Sequence, residues 1–464
     1  MIAQSAAALA AVTAGRVVGD PTAVATGWDF DSRTVSAGEC FVALRGHRDG
    51  HDFVGEALTA GAVVALVDHE PAGLVLGTGR ALVIVADVVE GLQAAARARR
   101  QSRADLAVVA VAGSTGKTST KDLLAAILAP LGCYANPGSF NNEFGLPLTI
   151  LDAPAAARVL VTEMGERRPG DLALLCRVAL PDAAVVTNVG LAHAEHLGGP
   201  EGAAAVIGEL LEALPDHGVA VLNADDPWSG SLADRTEARI VTVGTAATAD
   251  HRVGEIVLDD RLRPSFTLDG VRMRVPLHGG HHAANAAAAA VVAREALGVS
   301  FAAAADALGS TAAARWRMEL LESADGIVVL NDAYNANPTS MAAALDALAA
   351  LAVGGRRIAV LGDMRELGIH HDDAHRSIGE RAAGLGLDLV VGVGVGGAAI
   401  AAAAGAGVAV TTAADAEGAA ELLVGIVRPG DAVLCKASRA VGLERVADRL
   451  LGDDREVTSG SGVR

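Results

Sequence analysis

The stretch Ala112-Gly113-Ser114-Thr115-Gly116-Lys117-Thr118-Ser119-Thr120 decides the fold. It follows the apolar run 106–112 and precedes a helix-like run from Lys121 to Leu128. A buried strand, a glycine-rich turn and a helix start make a phosphate cradle. Glycine lets backbone N–H groups approach an anion, and a helix N-terminus favours negative charge. On this pattern Gly113, Ser114, Thr115, Gly116 and Ser119 surround the phosphates of a nucleotide. Lys117 sits on the β- and γ-phosphates, and the Thr118 hydroxyl on Mg²⁺. The longer phosphate-loop pattern needs a glycine at position 111, which is valine, so this is the shorter Gly-x-x-Gly-Lys-Thr form.

Working outward, a chain of 464 residues suggests about three domains. Aromatics make up only 3% of it, so the core must be Ala, Val, Leu and Ile. A net charge of −18 argues against nucleic acid or an anionic membrane as the main partner. Cys40, Cys133, Cys176 and Cys435 are scattered without metal-ligand spacing, which favours a reducing cytoplasm and no disulfide framework. The N-terminus lacks a basic targeting region and reads as a short helix. No run is apolar enough for membrane insertion, and the polar tail from Gly452 is expected to fray. Lysine occurs only at Lys117, Lys121 and Lys436, against 34 arginines. Coding bias explains the ratio, but a lysine in the phosphate loop is what the chemistry requires.

The expected fold class is α/β with three domains. Residues 1–104 form a first α/β domain that ends at the charged run Arg97–Arg103. Residues 105–314 form the central phosphate-loop domain, a mostly parallel sheet with helices on both faces. Its strand candidates are 108–112, 159–162, 184–187 and 219–222. Residues 315–464 form a C-terminal Rossmann-like open sheet, with strands near 327–331, 357–361, 387–391 and 432–435. Ligands of open α/β sheets sit at the carboxyl ends of strands, where Glu163, Asn188, Asp332, Asp363 and Lys436 fall. His193 follows five residues after Asn188, and Asn141-Asn142 lies in a turn-rich stretch. A strand-end carboxylate and an imidazole near a triphosphate suit metal binding, and Mg²⁺ wants oxygen ligands. Taken alone, Glu163 is equally a solvated carboxylate and His193 more often a capping or core histidine. Their place after strands of one sheet shifts both toward function. Asp332-Ala-Tyr334-Asn335-Ala-Asn337-Pro338 could equally be a simple Asx/Pro turn.

Over nearly its whole length the sequence resembles the Mur ligase family, ATP-dependent amide-forming enzymes of peptidoglycan precursor synthesis. The resemblance rests on Gly113–Thr118, Asn141-Asn-Glu-Phe-Gly145-Leu-Pro147, Thr162-Glu163, Thr187–His193, Gly279-Gly-His281-His-Ala-Ala-Asn285, Trp316-Arg317 and Asn331–Asn337. Asp31-Ser-Arg33, Phe41–Gly46, Gly362-Asp-Met-Arg-Glu-Leu-Gly368 with His375, and Lys436-Ala-Ser-Arg439 resemble the branch that joins D-Ala-D-Ala to UDP-N-acetylmuramoyl-tripeptide. The Asp-Asn-Pro-Arg motif usual in the branch that adds the third residue is missing.

The resemblance implies ATP and Mg²⁺ as cofactors. It also implies a cytoplasmic, monomeric enzyme, and a tripeptide carboxylate that becomes an acyl phosphate before the dipeptide amine attacks. Lys117, Glu163 and His193 take catalytic roles, with Thr118, Glu163 and His193 at the metal. Asn285, Arg317 and Asp332 join the phosphate loop in holding ATP. Ser32, Arg33 and Arg45 hold the UDP end, while Asn142, Asp363, Lys436, Ser438 and Arg439 bind the remaining substrate. Two departures stand out. The family's carbamoylated lysine after the histidine motif is replaced by Ile207, which leaves three alternatives: Glu195 or Glu209 supplies the charge, the second metal binds loosely through water and His193, or catalysis is impaired. The family's usual asparagine is replaced by His282. A relative with a different amine or acceptor, or a non-catalytic nucleotide-binding member, is the alternative.

Overall fold

The computed structural model describes residues 3–312 and 314–452. Beyond Gly452, the expected frayed tail lies outside the described residues. Among the described residues, the central sheet has seven parallel strands. Across it they run His251–Arg252, Arg239–Gly244, Val219–Asn223, Ala183–Val186, Ala107–Ala112, Val159–Glu163 and Cys133–Ala135. The phosphate-loop strand Ala107–Ala112 therefore lies between Ala183–Val186 and Val159–Glu163. Chain connections leave it in opposite directions, and such a switch point opens a crevice at the carboxyl ends.

Alternation along that strand separates two apolar layers. Val108, Ala110 and Ala112 face a layer with Leu146, Leu172, Ile207 and Leu210. Val109 and Val111 face the other, with Leu123, Ile127 and the helix His282–Leu297. That helix is buried through Ala283, Ala286, Ala287, Ala289 and Ala290, so small side chains bring it close to the phosphate-loop helix Lys117–Leu128. The expected fold class is observed.

The N-terminal sheet is ordered Arg16–Gly19, Ala81–Ile84, Val64–Val67, Glu39–Val42 and Gly27–Asp29, with the first strand antiparallel. The C-terminal sheet runs Glu319–Glu322, Val328–Asn331, Ala432–Lys436, Arg357–Leu361, Leu389–Val393 and Ala409–Ala413. Only its edge strand Glu319–Glu322 is antiparallel. The sequence patterns missed Arg239–Gly244, Cys133–Ala135, Ala409–Ala413 and the antiparallel ribbon 257–274. Cys133–Ala135 and Ala409–Ala413 are edge strands, the ribbon is a small separate sheet, and Arg239–Gly244 lies beside the short edge strand His251–Arg252; mixed exposure blurs their apolar pattern.

The charged run Arg97–Arg103, where the first domain is expected to end, is mostly helical. It continues the helix Val88–Gln101, whose apolar side joins the N-terminal sheet to the central core. Arg100 is buried and donates to the carbonyls of Ala179, Arg103 and Leu180 and to Asp182. Asp182 also accepts from the N–H of Val108 at 2.7 Å. A planar guanidinium with several donors satisfies a helix end and a strand start together. Arg100→Met strands those acceptors, so unfolding free energy is expected to fall by at least about 2 kcal/mol. Urea denaturation measures it.

Asp152 ends the helix Gly145–Asp152 with one carboxyl oxygen buried and unpartnered among the described residues. Burial, with Glu39 and Asp29 nearby, pushes its carboxyl up to about 7. The unfolded chain ionises near pH 4, while the folded chain holds the proton longer. Stability therefore falls as pH rises from about 4 to about 7 and then levels off. Asp152→Asn should flatten that fall, as urea midpoints across this range will show.

Candidate active site

Gly116 is the N-cap of the helix Lys117–Leu128, at φ 85° and with no capping side chain, so the first-turn N–H groups stay available to an anion. A Cβ on Gly116 would lie 2.7 Å from Oδ1 of Asn285, so that side chain and the loop pack only because the residue is glycine. The neighbouring strand clamps the turn. Asn188 Oδ1 accepts from Thr115 N–H and its Nδ2 donates to Thr115 O, both at 3.0 Å, while Thr187 Oγ1 donates to Thr115 O at 2.6 Å. Ser114 Oγ accepts from Gly190 N–H at 2.8 Å.

Thr118 Oγ1 donates to Glu163 Oε2 at 2.7 Å, and the other Glu163 oxygen accepts from Asn141 Nδ2 at 2.7 Å. A hydroxyl and a carboxylate oxygen side by side, beside a phosphate cradle, are the hard oxygen donors Mg²⁺ takes; the residues fit that ion. Lys117 Nζ folds back onto the Gly113 carbonyl and pairs with Glu166 Oε1 at 3.1 Å. Lys121 is buried and donates to the carbonyls of Asn136 and Gly138, so it shapes the loop before Asn141. His193 is in the left-handed region at φ 52° and pairs through Nδ1 with Glu366 of the C-terminal domain. Burial lowers its pKa, against the pull of that carboxylate.

The C-terminal domain supplies the facing wall. Asn337 caps the helix Pro338–Ala350 through Oδ1 and donates through Nδ2 to Thr115 Oγ1 at 3.1 Å. The Arg317 guanidinium lies 4.1 Å over the Tyr334 ring. Asp332 accepts from Met318 N–H at 3.0 Å and from Lys436 Nζ at 2.6 Å, and Lys436 also donates to Asn335 O. These groups line one cavity of about 350 Å³ together with Asn141, Asn142, His281, His282 and Asn285. His282 is fully buried, neither ring nitrogen has a partner among the described residues, and burial holds it neutral, its pKa well below the usual value. A neutral imidazole offers one donor and one acceptor to a base edge. Trp316, Met318, Glu366 and His193 all have positive φ, backbone strain gathered around one cavity.

Lys436, expected at the peptide and dipeptide end, lines the phosphate-loop cavity beside Asp332. Asn142 lines the same cavity, whereas Ser32, Arg33, Arg45, Asp363, Ser438 and Arg439 lie outside it. Asp363 and Ser438 follow adjacent parallel strands, and the Ser438 N–H donates to the Asp363 carbonyl. Arg439 packs 4.3 Å over Trp316 and pairs with Glu444 at 2.5 Å. Arg33 pairs with Asp31, Ser32 Oγ reaches Glu56 at 3.4 Å, and Arg45 pairs with Asp68 at 2.9 Å. The loops bearing them follow the adjacent parallel strands Gly27–Asp29 and Glu39–Val42. Ile207 is fully buried among apolar side chains. Neither expected substitute for its charge lines the cavity: Glu195 is exposed, and Glu209 accepts from the N–H groups of Gly170 and Ala173. Sequence reasoning missed Glu166, which lines it. The signal was a second carboxylate three residues past a strand-end glutamate.

A phosphate loop on a parallel sheet, with a metal-suited Thr–Glu pair and a second domain closing the nucleotide cavity, defines a nucleotide-dependent α/β enzyme. The chain belongs to the Mur ligase family. It matches the family's catalytic domain over residues 25–101, its middle domain over 111–293 and its glutamate ligase domain over 316–439. It is similar to the UDP-N-acetylmuramoyl-tripeptide–D-alanyl-D-alanine ligase of Mycobacterium tuberculosis, 40% identical with 92% of each chain covered. The Bacillus subtilis ligase of that name is 35% identical, covering 75% of this chain and 76% of its own. MurF from Acinetobacter baumannii superposes with a TM-score of 0.87 at 28% identity, over 97% of this chain and 99% of that one. MurF ligase from Thermotoga maritima, solved with ADP, gives 0.78 at 32% identity, over 92% and 97%.

Lys436→Met leaves Asp332 without its cation inside the cavity. ADP affinity is expected to weaken by about tenfold, the worth of one hydrogen bond to a charged group. Unchanged affinity in a calorimetric titration would put Lys436 outside nucleotide binding.

Proposed function

We propose that this chain is the ATP-dependent ligase that joins D-Ala-D-Ala to UDP-N-acetylmuramoyl-tripeptide in peptidoglycan precursor synthesis. One observation carries the chemistry: the phosphate loop, the Thr118–Glu163 pair and the Arg317–Asp332–Lys436 wall line a single cavity. The 92% coverage of both chains in the mycobacterial comparison carries the substrate pair.

The first step brings a carboxylate to the γ-phosphate of ATP, so two anions must meet. Backbone N–H groups at Gly116–Ser119 and the Lys117 ammonium balance charge on the phosphates. Mg²⁺, held by Thr118 and Glu163 with His193 beside them, would supply further electrostatic stabilisation when bound. Asp332 and Lys436 orient the nucleoside, and Asn285 and His282 its base side. The carboxylate oxygen bonds to the γ-phosphorus as the bond from that phosphorus to the β,γ-bridging oxygen breaks, so ADP leaves and the carboxylate becomes an acyl phosphate. The dipeptide amine then attacks the carbonyl carbon, loses a proton, and phosphate leaves with the C–O bond.

In this proposal residues 1–104 bind the UDP end through Ser32, Arg33 and Arg45, residues 105–314 bind ATP, and residues 315–464 receive the dipeptide near Asp363, Ser438 and Arg439. Asn142 stands between the two substrates. Asn337 and Glu366 tie the C-terminal domain to the phosphate loop and to His193, so domain closure and nucleotide seating are one event. A cytoplasmic monomer is part of the proposal; no described helix is long and apolar enough to cross a membrane.

Phosphate release from ATP and Mg²⁺ should require both UDP-N-acetylmuramoyl-tripeptide and D-Ala-D-Ala. Lys117→Met should lower it by at least about 100-fold. Release that ignores the dipeptide, or answers to another amine, would sink the substrate assignment.

A further inference from the structure

The Thr118–Glu163 pair does not use all the carboxylate in the cavity. Glu166 lines it with 1% of its surface exposed. Oε1 pairs with Lys117 at 3.1 Å, while Oε2 is buried and has no hydrogen-bond partner among the described residues. The other two lining carboxylates are committed. Glu163 is held by Thr118 and Asn141, and Asp332 by Lys436 and the Met318 N–H. The helix Pro200–Glu212 adds no charge here, since Ile207 is packed in the apolar core and Glu209 caps a neighbouring helix.

Lys117 faces two demands. In this structure its ammonium is the cation of Glu166. With a nucleotide in the cradle, the same ammonium goes to the phosphates. Glu166 is then a buried carboxylate without a counterion, beside further negative charge from the phosphates and from Glu163. Leaving a buried charge unpaired costs several kcal/mol, and a bare carboxylate has two hard oxygens to offer a divalent ion.

The resemblance already implies a second divalent cation beside the one at Thr118 and Glu163; we propose that in this chain Glu166 is its ligand, in the role left empty by Ile207, and that the cation enters with the nucleotide as Lys117 leaves the carboxylate. This rests on the nucleotide assignment of the cavity and extends it. The cation replaces Lys117 at Glu166, so the cavity stays near charge balance while the lysine serves the phosphates. His193 lines the same cavity and is held through Nδ1 by Glu366, which leaves Nε2 as a candidate co-ligand.

The test is Mn²⁺ titration of the full-length protein with the non-hydrolysable β,γ-imido analogue of ATP, read by electron paramagnetic resonance and not by turnover. The wild-type protein should take up a second Mn²⁺ beside the one accompanying the nucleotide. Glu166→Gln should retain the analogue but lose the second ion, or bind it at least about tenfold more weakly. A wild-type protein that binds the analogue with a single Mn²⁺ overturns the proposal without any variant. Two ions in both proteins also overturn it and leave Glu166 as a positioning partner of Lys117. Failure of the wild-type protein to bind the analogue would overturn the nucleotide assignment as well.

Discussion

Every charge in the cavity is referenced to one turn of backbone, Gly113 to Thr118, and that turn is held by hydrogen bonds from the next strand. Asn188 grips Thr115 through both its N–H and its carbonyl, and Thr187 takes the same carbonyl. The grip aims unpaired N–H groups of a helix N-terminus into the cavity. Without it the amides would be disordered donors in water, and most of their electrostatic value would be lost. Asn337 then reaches the same turn from another domain, so the cradle is complete only when the C-terminal sheet is docked.

Cations are scarce in a chain of net charge −18, and their placement follows from that. All three lysines serve the cavity or its wall. Lys117 pairs with Glu166 in the cavity, Lys436 pairs with Asp332, and Lys121 is buried against the loop carbonyls before Asn141. A lysine is a compact charge on a flexible stem, able to change partners. Arginine, with its rigid fork, is used where geometry is permanent, as at Arg100 between two domains. In the proposed mechanism the Lys117–Glu166 pair is the resting arrangement of a lysine that moves to the nucleotide.

Much of the site was legible in the chain. The phosphate loop, Glu163 and His193 stand where apolar runs end, and strand ends gather at one edge of an open sheet. Glu166 was not legible, because a carboxylate just past a strand is ordinarily solvated; its burial comes from the surrounding elements. Nor was the pairing of Lys436 with Asp332 legible. Its strand is central in the C-terminal sheet, between Val328–Asn331 and Arg357–Leu361, and only that order puts it beside Asp332. The run Arg97–Arg103 was read as a domain boundary because charge usually marks solvent, whereas Arg100 is buried against the Leu180 carbonyl and Asp182, and Arg103 against the Ala157 carbonyl, all far along the chain.

By itself the sequence determined the local chemistry: a glycine-rich turn between a buried strand and a helix, a lysine and a threonine within it, and strands spaced for parallel sheets. These depend on short-range backbone freedom and on apolar periodicity, which neighbouring residues settle. Tertiary structure alone decided which charges meet. Glu166 with Lys117, Asp332 with Lys436 and His193 with Glu366 are separated by 49, 104 and 173 residues. Their pairing depends on strand order and domain docking, and only packing brings such distant groups within reach of one another.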